Sequence, residues 1–239
     1  MTPFINDRDE QLKFRHAVYL VASFTLVLWV IKALELATDT SLAKLGILPR
    51  TLRGAIGIVT GPLIHGDILH LLSNTLPLLS LGVLLFYFYH RIALEIFGWI
   101  YLVTGFWTWL LARNAYHIGA SGIVYGMAAF LFFGGMVRRS RQMAMVSAII
   151  IILYGGMVYG IFPEMVDFDV SWESHLLGAL AGALLAFFFR KSQTGFEPDY
   201  VAQEEEKEKD DGAYFTHTSI TDQVDVKYEY KPGKQKTKE

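Results

Sequence analysis

A serine set between glycines, in the segment HIGASGIVYG (residues 117–126), is the first residue of this chain placed to do chemistry. Gly119 and Gly122 remove bulk around Ser121, so a peptide carbonyl can approach, and the amide of a serine at a helix N-terminus is a free donor for a developing oxyanion. Tyr125 lies four residues on and shares the serine's helical face. By itself, G-x-S-G in an apolar run reads as a packing feature. A serine hydroxyl is a weak nucleophile until a histidine accepts its proton. The candidate base is His175 in SHLLGALAGALLAF, where Gly178 and Gly182 make a small-residue face on the histidine's side. A second small face runs through Ser121, Gly122 and Gly126, and close approach of the two would bring His175 to Ser121. Alone, His175 reads equally well as an interfacial histidine capping a helix.

The third segment is HGDILHLLSN, in which His70 and Asn74 are four apart on one helical face and His65 precedes them where the chain enters the helix. An amide and an imidazole N–H facing the serine would complete an oxyanion hole, each donor worth on the order of 2.7–4 kcal/mol in the transition state. Three histidines (His65, His70, His175) also raise the question of zinc, but there is no H-E-x-x-H pair and nearby acids are few, so no metal is expected. For His65 the reading is a structural hydrogen-bond network, and for Asp67 a solvated loop charge rather than a catalytic member.

These side chains must be positioned by an apolar framework. Hydrophobic residues make up 53% of the 239 and aromatics 14%, and the mean hydropathy is positive, beyond what soluble domains carry. A membrane protein follows. The chain has no cysteine, which excludes disulfides, thiolate catalysis and Cys-ligated metals, and no basic face suggests nucleic acid. Six stretches near the ~20 residues needed to cross a bilayer run over about 17–37, 68–89, 93–112, 118–137, 143–162 and 174–189. The first is too long for a signal peptide and reads as a retained span. Lys and Arg number nine near one set of span ends (Arg8 to Arg15, Arg91, Arg138 to Arg141, Arg190, Lys191) against four on the other (Lys44, Arg50, Arg53, Arg113). The positive-inside rule then predicts both termini in the cytoplasm. Spans two, four and six start from the outer face, which puts His65, His70, Asn74, Ser121 and His175 at one level. Polar groups at such depth point to a functional site by default.

Taken together, HGDILHLLSN, GASGIVY and HLLGALAG resemble the three signature segments of the rhomboid family of intramembrane serine proteases, in the family's order and on the expected spans. The resemblance covers about residues 17–190. It implies an all-α, six-transmembrane-helix bundle, with 1–16 a cytoplasmic N-terminus and 191–239 a charged, flexible cytoplasmic tail. It also implies serine endopeptidase activity on transmembrane segments of protein substrates, near the outer face, by a Ser121–His175 dyad that needs no cofactor. Asn74, His70 and the Ser121 amide match the oxyanion donors, with Gly119 beside them, and Tyr125 the aromatic bracing the histidine. His65, Gly122, Gly178 and Gly182 match supporting positions. The family's Trp-Arg pair in the first external loop is missing: LGILPRTLRGAIG has Arg50 and Arg53 with no tryptophan before either, leaving the arginines to engage lipid headgroups. The expected partners are transmembrane substrates and lipids, with no nucleic acid or metal, and the expected location is the inner membrane of a bacterium. The rival reading is a noncatalytic relative that binds or escorts membrane helices. A proton or ion pathway is disfavoured because the inner halves of spans four and six are almost wholly apolar. Lys32 and Glu35 are expected to pair or snorkel, Trp99, Tyr101, Trp107 and Trp109 to face lipid or core, and DQVDVKYEYK in the tail to alternate like a strand.

Overall fold

The computed structural model describes residues 7–138, 141–167, 170–192, 214–217 and 228–231. Seven α-helices follow in order: α1 Asp7–Thr38, α2 Leu52–Thr60, α3 Ile68–Phe88, α4 Ala93–Leu111, α5 Ser121–Val137, α6 Arg141–Tyr154 and α7 Trp172–Phe188. Their starts are legible as caps. The Thr51 hydroxyl accepts from the Gly54 amide (3.0 Å) ahead of α2, Asp67 from the His70 amide (2.8 Å) ahead of α3, and Ser171 from the Ser174 amide (3.4 Å) ahead of α7. Each satisfies a donor that the helix itself leaves open. A separate unit, Glu197–Glu239, contains an antiparallel pair, β1 Tyr214–His217 with β2 Tyr228–Lys231, in which Tyr214 stands opposite Lys231. The strand expected in the tail is therefore described over 228–231. The charge run EEEKEKDD lies outside the described residues.

Five segments are long and apolar enough to cross a membrane: Arg8–Thr38, Ile68–Phe88, Ala93–Leu111, Arg141–Ile161 and Trp172–Lys191. The last two include the short 3-10 stretches that prolong α6 and α7. The remaining apolar stretch, expected over 118–137, forms a helix only from Ser121. Gly119 adopts φ +105, a conformation outside any right-handed helix, so α5 has 17 residues. The first helix, by contrast, begins ten residues before the apolar run expected from position 17, at Asp7.

α5 is the central helix. Its buried residues, among them Gly122, Ile123, Gly126, Met127, Phe130, Leu131 and Gly134, cover about half its circumference, and the residues on the other side are partly buried except for exposed Met136 near its end, as suits a helix apolar all round. α7 packs closest to it, because glycines let the backbones meet. A Cβ on Gly178 would lie 2.0 Å from the Gly122 carbonyl oxygen, and one on Gly182 1.9 Å from that of Gly126. These pairings run in the same sense, so α5 and α7 are parallel. The outer surfaces carry exposed apolar side chains, including Leu26, Leu34, Leu72, Leu102, Ile152 and Leu184. That exterior suits acyl chains and not water, and the chain is an integral multi-pass membrane protein.

The segment before α3 is held against α4. The Trp109 indole donates to the Thr51 carbonyl (2.9 Å), and the Tyr101 hydroxyl donates to the Val59 carbonyl. Arg50, at φ +58, donates to the carbonyls of Leu110 (3.2 Å) and Ala112 (2.8 Å). Arg50 thus ends α4 by satisfying its last carbonyls, a use the sequence reading did not foresee. Lys32 does pair with Glu35, at 3.3 Å.

Candidate active site

Ser121 is the first residue of α5. Its hydroxyl donates to His175 Nε2 at 2.8 Å. The direction follows from the other ring nitrogen, since Nδ1 lies 2.9 Å from the Gly160 carbonyl oxygen, which can only accept. Nδ1 therefore carries the proton and Nε2 presents its lone pair to the serine. Among uncharged tautomers this one alone can take the serine proton. The closeness of the two side chains is a consequence of the glycine contacts between α5 and α7, which hold the first turns of both helices together.

Tyr125 lies flat on the imidazole, with ring centroids 4.2 Å apart and planes within 6°. Its hydroxyl donates to the Met157 carbonyl (2.8 Å). Met157 and Gly160 belong to one stretch of 3-10 helix, Gly155–Ile161, so Tyr125 and His175 together grip the segment that continues α6. A side chain at 160 would collide with Tyr125, since its Cβ would lie 1.9 Å from the tyrosine oxygen. No polar side chain announces this orienting group in the sequence. The signal available was the glycine pattern of GGMVYG at the end of an apolar run.

On the other side stand the residues of the 65–74 segment. The His70 ring packs over Gly119, where a Cβ would come within 2.8 Å of its Cε1 and Nε2. Gly119 is thus required twice, by its positive φ and by this close approach. Asn74 is buried, and its amide nitrogen donates to the His70 carbonyl (2.8 Å), which uses one of its two N–H groups. His65 is buried, its ring edge-on to that of His70 with centroids 5.1 Å apart. Its Nε2 accepts from the Ala120 amide at 3.3 Å. Burial, with His70 beside it, pushes the His65 imidazole down to about 4, so it is neutral and able to accept. The amides of Ile123 and Val124 both turn to the Ala120 carbonyl (3.0 and 3.1 Å). Asp67 lies away from the His175 ring's partners, capping α3. The His70 amide that donates to it holds its carboxyl below the usual range.

Two further elements brace the site that sequence reasoning passed over. His117 is 2% exposed, and its Nε2 donates to the Arg113 carbonyl (3.0 Å). Its Nδ1 therefore accepts from the Ser171 hydroxyl (2.6 Å), which in turn accepts from Ser174 (2.6 Å). Beside this chain, Arg113 pairs with buried Glu173 at 3.2 Å and donates to the Val170 carbonyl (3.0 Å). The loop leading to Ser121 is thereby tied to the first turn of α7, which carries His175. Opposite charges at the ends of spans three and six were the available signal. Among the described residues no group of three or more metal-ligating side chains is arranged to hold an ion.

Residues 53–192 match the family model of the Rhomboid domain. The chain is 32% identical over 178 residues to an uncharacterized protein of Mycobacterium tuberculosis, covering 70% of this chain and 72% of that one. It is 30% identical over 195 residues to an uncharacterized protein of Mycobacterium leprae, covering 76% and 74%. To the RHOMBOID-like protein 4 of Arabidopsis thaliana it is 28% identical over 132 residues, which is 52% of this chain and 31% of the plant protein.

Proposed function

The chain belongs to the rhomboid family, and from that premise we propose that it is an intramembrane serine endopeptidase in which Ser121 is the nucleophile and His175 the general base. The observation that carries this reading is the 2.8 Å contact between Ser121 Oγ and an imidazole whose other nitrogen is committed to the Gly160 carbonyl. His175 takes the serine proton as the oxygen attacks a peptide carbonyl, then delivers it to the leaving amine; water returns through the same histidine to hydrolyse the acyl-enzyme. Gly160 supplies by its backbone the orientation that a carboxylate gives in a triad. The tetrahedral oxyanion is held by the Ser121 amide, the free N–H of Asn74 and the His70 ring, with Gly119 leaving room for the carbonyl.

The brevity of α5 supports cleavage inside the membrane. Seventeen residues span only ~25 Å against a hydrocarbon core of ~30 Å, so a helix ending at the cytoplasmic surface leaves Ser121 below the opposite one. Both termini are in the cytoplasm, the protease domain covers residues 17–190, and 191–239 is a cytoplasmic tail. The bacterial relatives favour a bacterial cytoplasmic membrane. Substrates are single-span proteins whose helix unwinds near the outer face, since a helical peptide bond hides its carbonyl. The competing reading, a helix-binding protein without activity, leaves the serine and histidine with no reason to meet.

The deciding experiment is cleavage of a labelled single-span substrate in liposomes by wild type, Ser121→Ala and His175→Ala. Cleavage by wild type only is expected. Binding without cleavage by all three would replace the protease with the helix-binding reading.

A further inference from the structure

The reaction at Ser121 leaves a buried ion pair without a task. Lys32 of α1 is 8% exposed and Glu35 6%, and an ammonium in a membrane-spanning helix is costly unless every donor is matched. Its three donors are matched, but chiefly not by the carboxylate. Lys32 Nζ donates to the carbonyls of Gly66 (2.9 Å) and His65 (3.0 Å), and only at 3.3 Å to Glu35. No backbone amide among the described residues bonds either carbonyl, so the lysine is what holds this turn. The same turn presents the His65 ring, whose Nε2 takes the Ala120 amide at 3.3 Å, and Ala120 adjoins Ser121. The path from α1 to the candidate nucleophile thus has two hydrogen-bonded steps and one peptide bond.

We propose that Lys32 is a positioning residue for the reaction: by clamping the His65–Gly66 turn it lets His65 hold the Ala120 amide, and so fixes the start of α5 against the His70 ring. An i,i+3 ion pair serving stability alone would have no need of the two carbonyls. Glu35 has its own second task, since its other oxygen accepts from the Leu42 amide (2.7 Å). The inference rests on the reading of Ser121 as nucleophile.

The test uses the full chain in lipid nanodiscs as wild type, Glu35→Gln, Lys32→Met and the double variant Lys32→Met/Glu35→Gln. Lys32→Met strands the buried Glu35 carboxylate and can fail to fold, whereas the double variant removes both charges of the pair together and keeps its fold. Four quantities are read on folded protein: the rate of Ser121 labelling by a fluorophosphonate, kcat and KM on a single-span substrate, and hydrogen exchange of the Ala120 amide. Glu35→Gln keeps both carbonyl bonds and stays within threefold of wild type. The double variant still unfolds cooperatively, yet labels and turns over at least tenfold more slowly with KM within twofold, and its Ala120 amide exchanges at least tenfold faster. A folded double variant with wild-type labelling and wild-type exchange overturns the proposal. A wild type that neither labels nor cleaves sinks the protease reading instead, and exchange at Ala120 then still decides whether the clamp exists.

Discussion

Replacing Gly178 by alanine tests whether backbone contact between α5 and α7 is what brings the serine and histidine together. The new Cβ would lie 2.0 Å from the Gly122 carbonyl oxygen, while carbon and oxygen come no closer than about 3.3 Å, so the helices must part by about 1.3 Å. The clash falls one turn from His175 and one residue from Ser121, and the obstacle is backbone, which no rotamer change can clear. Added to a 2.8 Å hydrogen bond, such a displacement leaves Nε2 beyond reach of the hydroxyl, and about an ångström of misplacement costs on the order of 100-fold in rate. The stability cost of overpacking is about 1–3 kcal/mol, less than the several kcal/mol by which a domain is ordinarily stable, so folded protein remains to be assayed. The assay is fluorophosphonate labelling of Ser121 together with substrate cleavage, each per folded molecule in nanodiscs. Gly98→Ala is the control, since a Cβ there meets nothing within 4 Å. Labelling of folded Gly178→Ala within threefold of wild type would refute the claim that glycine contact sets the geometry between Ser121 and His175.

Tyr125→Phe keeps the ring on His175 and loses only the bond to the Met157 carbonyl, so kcat is expected to fall about two- to fivefold, the scale of ~1 kcal/mol; Tyr125→Ala should lose at least tenfold, measured on the same substrate. Arg113→Met removes the partner of buried Glu173 and should lower stability by about 2–3 kcal/mol, the arginine's partial exposure reducing the cost of a fully buried break; the melting temperature should rise again on adding Glu173→Gln. Stability should also depend on pH through His65. The folded protein binds its proton only near 4 and the unfolded chain near 6.5, so the unfolded state takes up the proton first. Stability is full above about 6.5 and is lost as pH falls towards 4, by on the order of 3 kcal/mol. Thermal melts between pH 7.5 and 4.5 should show a shallower decline in His65→Gln, which still accepts from Ala120; parallel declines would count against the assignment.

Much of this protein was written along the chain. The apolar runs determined that it lives in a membrane, because no other medium accepts such side chains without cost. The polar residues of HGDILHLLSN, GASGIVY and SHLLGALAG stood out because they interrupt apolar runs, where solubility gives them no reason to be. Glycine spacings on two segments indicated which helix faces could meet. Tertiary structure decided what depends on backbone atoms and on partners far apart in sequence. The group that orients His175 is a carbonyl of Gly160, and every residue has a carbonyl, so composition carries no trace of it. Lys32 looked like half of an i,i+3 pair, because its two main partners are carbonyls more than thirty positions away. The length of α5 was likewise hidden in hydropathy: the apolar run begins before the helix does, and only the positive φ of Gly119, set against the His70 ring, fixes Ser121 as its first residue.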